Sequence, residues 1–381
     1  MLKTCQIYAD LEKEAKLPLP PAAQVQTAFK KSGETVPTPA ARREEILQNP
    51  HFGSHFTDHM ALAQWSAKNG WHERQIVPFG PFSLSPAASV LHYGQEIFEG
   101  IKAYAHPDGS VWTFRPGYNA ARLRQSARRL MMPEISNEDF LGSLVTLVRT
   151  DRQWVPTAVS AALYLRPFMV ATEPFLGVRS ATEYTYCVIA SPAGPYFEDE
   201  GAGVSIYVTQ SFHRAFPGGT GAAKCGGNYA GSLLPQVEAA QKGYQQVCFL
   251  DASGRYLEEL GGMNVFVVYE DGHVETPRLT GTILAGGTRS SIITLLRGNG
   301  REVTECDIAL QTLLERIRTG QVTEVFACGT AAVVAPIGKL GGADFVVEVP
   351  QGSLTKQVHD ELTGIQFGLR PDTHGWLYRL C

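Results

Sequence analysis

No stretch of this 381-residue chain approaches the ~20 consecutive apolar residues that a membrane-spanning helix needs. A membrane is therefore not an expected partner. The chain also lacks a basic excess: 33 Lys and Arg stand against 37 Asp and Glu, a formal net charge of −4. Without a positive field to gather a polyanion, nucleic acid is excluded as an expected partner. There is no Cys-x-x-Cys pair and no Cys/His cluster at metal-ligand spacing, and the seven cysteines (Cys5, Cys187, Cys225, Cys248, Cys306, Cys328, Cys381) are odd in number and scattered. That argues against a disulfide framework and a structural metal, and fits reduced thiols. The opening MLKTCQIYADLEKEAKLPLP has neither the apolar run of a signal peptide nor the Arg-rich, acid-poor character of a transit peptide, so the expected location is the cytoplasm. Internal repeats and long low-complexity tracts are missing as well.

What remains is the composition of a soluble globular protein, 44% apolar and 18% charged, long enough for about two domains. Residues 1–50, where Pro, Ala and small polar residues show no sustained period beyond residue 17, read as an irregular N-terminal arm. A small α/β domain is expected over 51–192. Within it His106-Pro-Asp-Gly109 separates the strand-like runs Ile101–Ala105 and Ser110–Phe114, and Ser136 with Asp139 opens a helix whose Phe140, Leu144, Leu147 and Val148 recur at helical spacing. Two further apolar runs, Ala162–Val170 and Tyr184–Ala190, read as strands. The Pro-, Gly- and acid-rich stretch 193–203 reads as the connection to a larger domain over 204–381. There, strands at Val204–Thr209, Gln246–Asp251, Val265–Tyr269 and Glu324–Cys328 alternate with helices, one starting near Asn228 and one carrying Leu310, Leu313, Leu314 and Ile317 up to Gly320.

The chemistry concentrates in a few segments. In PGGTGAAKCGGNYAGSLL (217–234) a single Lys224 sits among Gly and Ala. Taken alone, such a segment is most often a mobile surface loop. An ammonium among residues too small to shield it is nevertheless costly to bury, and an imine to a carbonyl cofactor removes that cost. In YLEELGGMNVFVV (256–268) two carboxylates precede a double Gly and an apolar strand, so alternation should turn one of Glu258 and Glu259 inward, where it needs a cationic partner such as a protonated ring nitrogen. AGGTRSSIITLL (285–296) runs from Gly-Gly-Thr into a helix, and ACGTAAVV (327–334) places Gly-Thr after a strand. Both kinds of turn suit an oxyanion. Arg122, in NAARLRQSARRL, is a fixed cation that could complete such a cage.

Taken together, FGSHFTDHM (52–60), LHYGQEIFEGIKAY (91–104), LYLRPF (163–168), AKCGGNY (223–229), EELGGMN (258–264), GGTR (286–289), CGTA (328–331) and LTGIQ (362–366) resemble, in order and spacing, the branched-chain aminotransferases of the fold type IV class of pyridoxal 5′-phosphate (PLP) enzymes. The resemblance implies an α/β (α+β) protein of two domains with the cofactor at their interface, assembled as a homodimer. It implies that Lys224 carries PLP and shuttles a proton, that Glu259 pairs with the pyridine nitrogen and that Tyr229 bonds the phenolic oxygen. Arg122, the N–H groups of Gly287 and Thr288, and the Thr330 hydroxyl would hold the phosphate. Phe52, Tyr93, Phe98, Tyr164 and Tyr196 would wall an apolar pocket, with Thr330 and Ala331 at the substrate's α-carboxylate and Arg166 at the distal carboxylate of glutamate.

The implied activity is reversible transfer of the amino group of leucine, isoleucine or valine to 2-oxoglutarate by ping-pong kinetics. An aminotransferase for another apolar amino acid, or a non-catalytic PLP-binding protein, are the alternatives. This sequence departs from the family at three places. Gly287 replaces a usual Ile or Val. Gly231 and Pro235 stand where better helix formers are common, which predicts a kink or break just beyond the Lys loop. Ala332-Val333-Val334-Ala335 occupies the place of a redox-sensing Cys-x-x-Cys found in some members.

Overall fold

The computed structural model describes residues 2–194 and 203–381, with side chains from Ile7 onward. The chain divides into two compact units. The first comprises Asp10–Tyr196, Ala223–Gly226 and Gly364–Cys381, and the second Met1–Ala9, Phe197–Ala222 and Gly227–Thr363. The division is less sequential than the runs of composition imply, because pairing rather than order decides membership. The late strand Leu377–Arg379, for example, lies antiparallel to Val111–Phe114 in the first unit's sheet.

That sheet runs Lys30–Lys31, Gly70–Pro78, His59–Ser66, Glu183–Ala193, Ala162–Ala171, Ile101–Ala105, Val111–Phe114, Leu377–Arg379, with Glu96–Phe98 also paired to Ala162–Ala171. Its main strands are antiparallel. The His106–Gly109 turn closes as expected, Gly109 adopting φ +80 where a side chain would be strained. Helix Asn137–Thr150 begins where Ser136 accepts the Asp139 N–H at 3.0 Å, and buries Phe140, Leu141, Leu144 and Val148. Helix Pro116–Arg129 starts on a proline, whose missing N–H has no partner at that position in any helix.

The second unit's sheet is mixed, in the order Leu257–Leu260, Gln246–Leu250, Val204–Val208, Val333–Gly341, Val322–Gly329, Asn264–Tyr269, Val274–Pro277, Val303–Cys306. Val204–Val208 is parallel to both its neighbours and, apart from Ser205, is buried. The expected break beyond the Lys loop is present: helix Gly226–Ala230 stops and Leu233–Gln241 starts anew from Ser232. Pro235 falls in the first turn of that new helix, where its missing N–H costs nothing.

The N-terminal 50 residues are not the irregular arm expected from composition. They hold helices Leu2–Ala15, Ala22–Val25 and Ala40–Gln48. The short helices bury few residues each, so their periodicity is too brief to register against the prolines around them. Val25 and Phe29 nevertheless join the first unit's core. They do so beside Gly142, where a Cβ would stand 2.8 Å from the Ala28 Cβ and 3.2 Å from the Val25 carbonyl oxygen. Replacing Gly142 by Leu should therefore destabilise the protein by about 1–3 kcal/mol through overpacking. Urea unfolding measures this, and an unchanged midpoint would show that the Ala22–Phe29 segment yields freely.

Candidate active site

In the first unit Lys224 is fixed through its backbone. Its N–H donates to Ser126 Oγ at 2.9 Å and its carbonyl accepts the Phe98 N–H at 3.0 Å. Two residues on, the Gly226 N–H donates to the Glu96 carboxylate, and a Cβ at Gly226 would strike that same group. Smallness at Gly226 is thus a requirement of close packing, whereas at Gly227 nothing stands within 4 Å of an added Cβ. The Lys224 Nζ lies 4.5 Å from the Phe98 ring centroid. Burial is the largest cause that brings its pKa down to about 8. The positive charges of Arg122 and Arg166 add to the fall, and Glu99 and Tyr164 oppose it.

Arg122 is held in a bidentate pair with Glu99, Nε to Oε1 at 2.7 Å and Nη2 to Oε2 at 2.8 Å, and both residues are buried. Asn119 Nδ2 donates to Glu99 Oε2 at 2.7 Å, and the Gly100 N–H donates to the same oxygen at 3.2 Å. Arg166 donates to the Tyr164 hydroxyl at 3.0 Å and lies over the rings of Phe98 and Tyr164, at 4.8 and 5.3 Å. Phe52 meets Tyr164 edge-on at 4.8 Å. Lys224, Phe98, Arg122, Tyr164, Arg166 and Phe52 are therefore one constellation. Tyr93 is not drawn in by these contacts; its hydroxyl donates to the Leu176 carbonyl. Tyr196 lies outside the described residues.

In the second unit both acids of Leu257–Leu260 are buried, where strand alternation led us to expect only one inside. The segment 280–284 lies against both, Thr282 reaching Glu258 and Leu284 reaching Glu259. Glu259 Oε1 sits 3.1 Å from Arg214 Nη1 and accepts the Leu284 N–H at 2.8 Å. Glu258 accepts the Thr282 hydroxyl, while its Oε2 is buried without a hydrogen bond. Burial first, then the neighbouring Glu259 charge, lifts the Glu258 pKa to about 7 against the opposing Thr282 bond and Arg214 charge.

Helix Gly287–Gly298 follows this segment. Its backbone ladder opens with the Ser290 N–H to the Gly286 carbonyl at 3.0 Å, so the amides of Gly287 and Thr288 lie at the positive end of the helix. Asn264 Nδ2 donates to the Leu284 carbonyl at 3.1 Å just ahead of it. Thr330 and Ala331 form the turn between Val322–Gly329 and Val333–Gly341. A Cβ at Gly329 would lie 3.3 Å from Met263 and 3.5 Å from the Gly262 carbonyl oxygen, and one at Gly262 would lie 3.8 Å from Tyr229 Cε1. The Thr330 turn, the Gly-Gly-Met turn after Glu259 and the Tyr229 ring are thus neighbours. Glu99, Asn119 and Arg214 were not singled out from sequence. Glu99 lies within the quoted motif 91–104, but only the fold shows that it grips Arg122.

Residues 96–340 match the model of the amino-transferase class IV family. The branched-chain-amino-acid aminotransferase of Mycolicibacterium smegmatis is 49% identical over 360 residues, covering 92% of this chain and 98% of that protein. Among solved structures, the branched-chain aminotransferase of Thermoproteus uzoniensis with norvaline aligns with a TM-score of 0.71 and 26% identity over 84% of this chain and 100% of that one. The branched-chain amino acid aminotransferase of Thermobaculum terrenum in its PLP form gives a TM-score of 0.65 and 25% identity over 84% of this chain and 98% of that one. The chain therefore belongs to the class IV aminotransferases and, within them, to the branched-chain-amino-acid aminotransferases. PLP is the cofactor that this membership implies.

The raised pKa of Glu258 has a sign that can be checked. A carboxyl that holds its proton more tightly when folded adds stability at low pH, and that contribution is lost as pH rises from about 4.5 through about 7. Glu258→Gln should flatten the decline in unfolding free energy over that window. An identical decline in the variant would place its cause in other groups.

Proposed function

We propose that this enzyme exchanges the amino group of leucine, isoleucine or valine with 2-oxoglutarate, using PLP carried on Lys224. The observation that carries the reading is the Lys224 amine, packed against Phe98 beside the Arg122–Glu99 pair with its pKa brought to about 8. An amine so shifted is neutral often enough near neutral pH to react with a carbonyl, which a surface lysine is not. The residues present fit PLP in chemical type: an amine for its carbonyl, a buried acid at Glu259, a phenol at Tyr229, and amide and hydroxyl donors at Gly287, Thr288 and Thr330. When bound, PLP supplies an electron-withdrawing ring that acidifies the substrate's Cα–H.

The work left to the chain is to hold, orient and move protons. Lys224 Nζ takes the Cα proton and returns it on the other side of the exchange. Glu259, held by Arg214 and the Leu284 N–H, would keep the ring nitrogen protonated. Tyr229 would donate to the phenolic oxygen. Arg122, with the amides of Gly287 and Thr288 and the Thr330 hydroxyl, would receive the phosphate, and Glu99 both fixes the Arg122 fork and offsets part of its charge. Phe52, Phe98 and Tyr164, and by the family resemblance Tyr93 and Tyr196, would supply apolar walls for a branched side chain, and the Thr330–Ala331 turn would take the α-carboxylate. Arg166, stacked on Phe98, answers the distal carboxylate of glutamate. We infer a homodimer acting in the cytoplasm. No described helix is long and apolar enough to cross a membrane.

Two variants test the roles. Mixed with leucine and 2-oxoglutarate, the native protein should form glutamate, and Lys224→Ala should lower the rate by about 100- to 10,000-fold. Glutamate formation at the native rate in that variant would remove Lys224 from the chemistry. Arg166→Leu should raise KM for 2-oxoglutarate about 10- to 100-fold, the loss of a charged hydrogen bond, while KM for leucine stays within about twofold. Equal effects on both substrates would contradict the assignment of Arg166.

A further inference from the structure

The N-terminal helix Leu2–Ala15 carries Tyr8, a buried residue whose hydroxyl does two things in the second unit. It donates to the Ile283 carbonyl at 2.9 Å and accepts the Gly281 N–H at 3.0 Å. Burial raises its pKa, so the proton needed for donation stays in place. The loop it pins is the one that holds both buried acids. Thr282 gives its hydroxyl to Glu258 and its carbonyl accepts Arg214 Nη1 at 2.8 Å, while the Leu284 N–H goes to Glu259 at 2.8 Å. Three residues beyond Leu284, helix Gly287–Gly298 begins.

The loop has little conformational preference of its own. Gly281 sits at φ +96, a region that glycine alone enters readily and from which it readily departs. External ties must therefore set its shape. Arg214 and Thr282 bind the loop to the acids themselves, whereas Tyr8 anchors it from a separate element.

We propose that Tyr8 is a positioning residue for the cofactor: by fixing Gly281 and Ile283 it sets the Leu284 N–H against Glu259 and the start of helix Gly287–Gly298, which makes the N-terminal helix part of the PLP-holding structure. The proposal rests on the reading that Glu259 and the Gly287 turn hold PLP. Loss of the hydroxyl leaves a buried N–H and a buried carbonyl unanswered, and the loop relaxes to satisfy them elsewhere.

The test is Tyr8→Phe in the full chain, which keeps the ring and removes both hydrogen bonds, with Tyr8→Ala beside it. Protein stripped of cofactor is titrated with PLP and followed by the absorbance of the bound form. Tyr8→Phe should raise the Kd for PLP about tenfold, shift the absorbance maximum of the bound cofactor, and lower kcat while KM for leucine stays within about twofold. Tyr8→Ala should do all three more strongly. Tyr8→Phe with the native Kd and native spectrum overturns the proposal, whether or not its melting temperature falls, because a merely structural tyrosine would move only the latter. Native protein that takes up no PLP would overturn the functional reading and this one together; native uptake with an unaltered Tyr8→Phe overturns this one alone.

Discussion

An ammonium withdrawn from water must lose its proton, find an anion or be converted to something else, and Lys224 is built around that constraint. Its backbone is held by Ser126 and Phe98, which fixes the point from which the side chain projects. Burial and two guanidinium groups push its proton off, while the Glu99 carboxylate, paired with Arg122, and Tyr164 pull the other way. Lys102 makes a useful comparison. It is buried and its pKa is likewise lowered to about 8, with burial as the largest cause. Burial is the first cause at both lysines, and at Lys224 the charges of Arg122 and Arg166 add to it.

The second unit keeps two adjacent acids inside. Glu259 has Arg214 and a backbone amide standing on it, whereas Glu258, lacking a cation of its own and facing a like charge, is lifted toward neutrality. Two adjacent carboxyls with the same chemistry are thereby set in different electrostatic surroundings. One short loop, residues 281–284, bonds both acids and leads directly into the helix start that the proposed phosphate site uses. The surroundings of the two acids are thus set by this segment together with Arg214.

Legibility from sequence followed the range of the interaction. The hairpin at His106–Gly109, the Ser136 cap and the helix break before Pro235 are local, and local chemistry predicts them. The burial of Glu258 was missed because alternation alone turns one of two adjacent residues outward, and the loop that covers it comes from more than twenty residues away. Glu99 passed as one more acid in a strand motif, since its partner Arg122 lies on a different element. Lys224 stood out through its small neighbours and Thr330 through its Gly-Thr turn, but Tyr229 and Arg166 became candidates only through resemblance to a family. The N-terminal helix was hidden for a different reason: Tyr8 and Leu11 are the buried residues its described part offers, too few to make a period.

The most direct measurement is to treat the PLP-loaded protein with borohydride, which turns an imine into a stable amine, and then to digest it and weigh the peptides. The account predicts that the added pyridoxyl mass lies on the peptide containing Lys224. The same mass on the Lys102 peptide, or on no peptide at all, would contradict it.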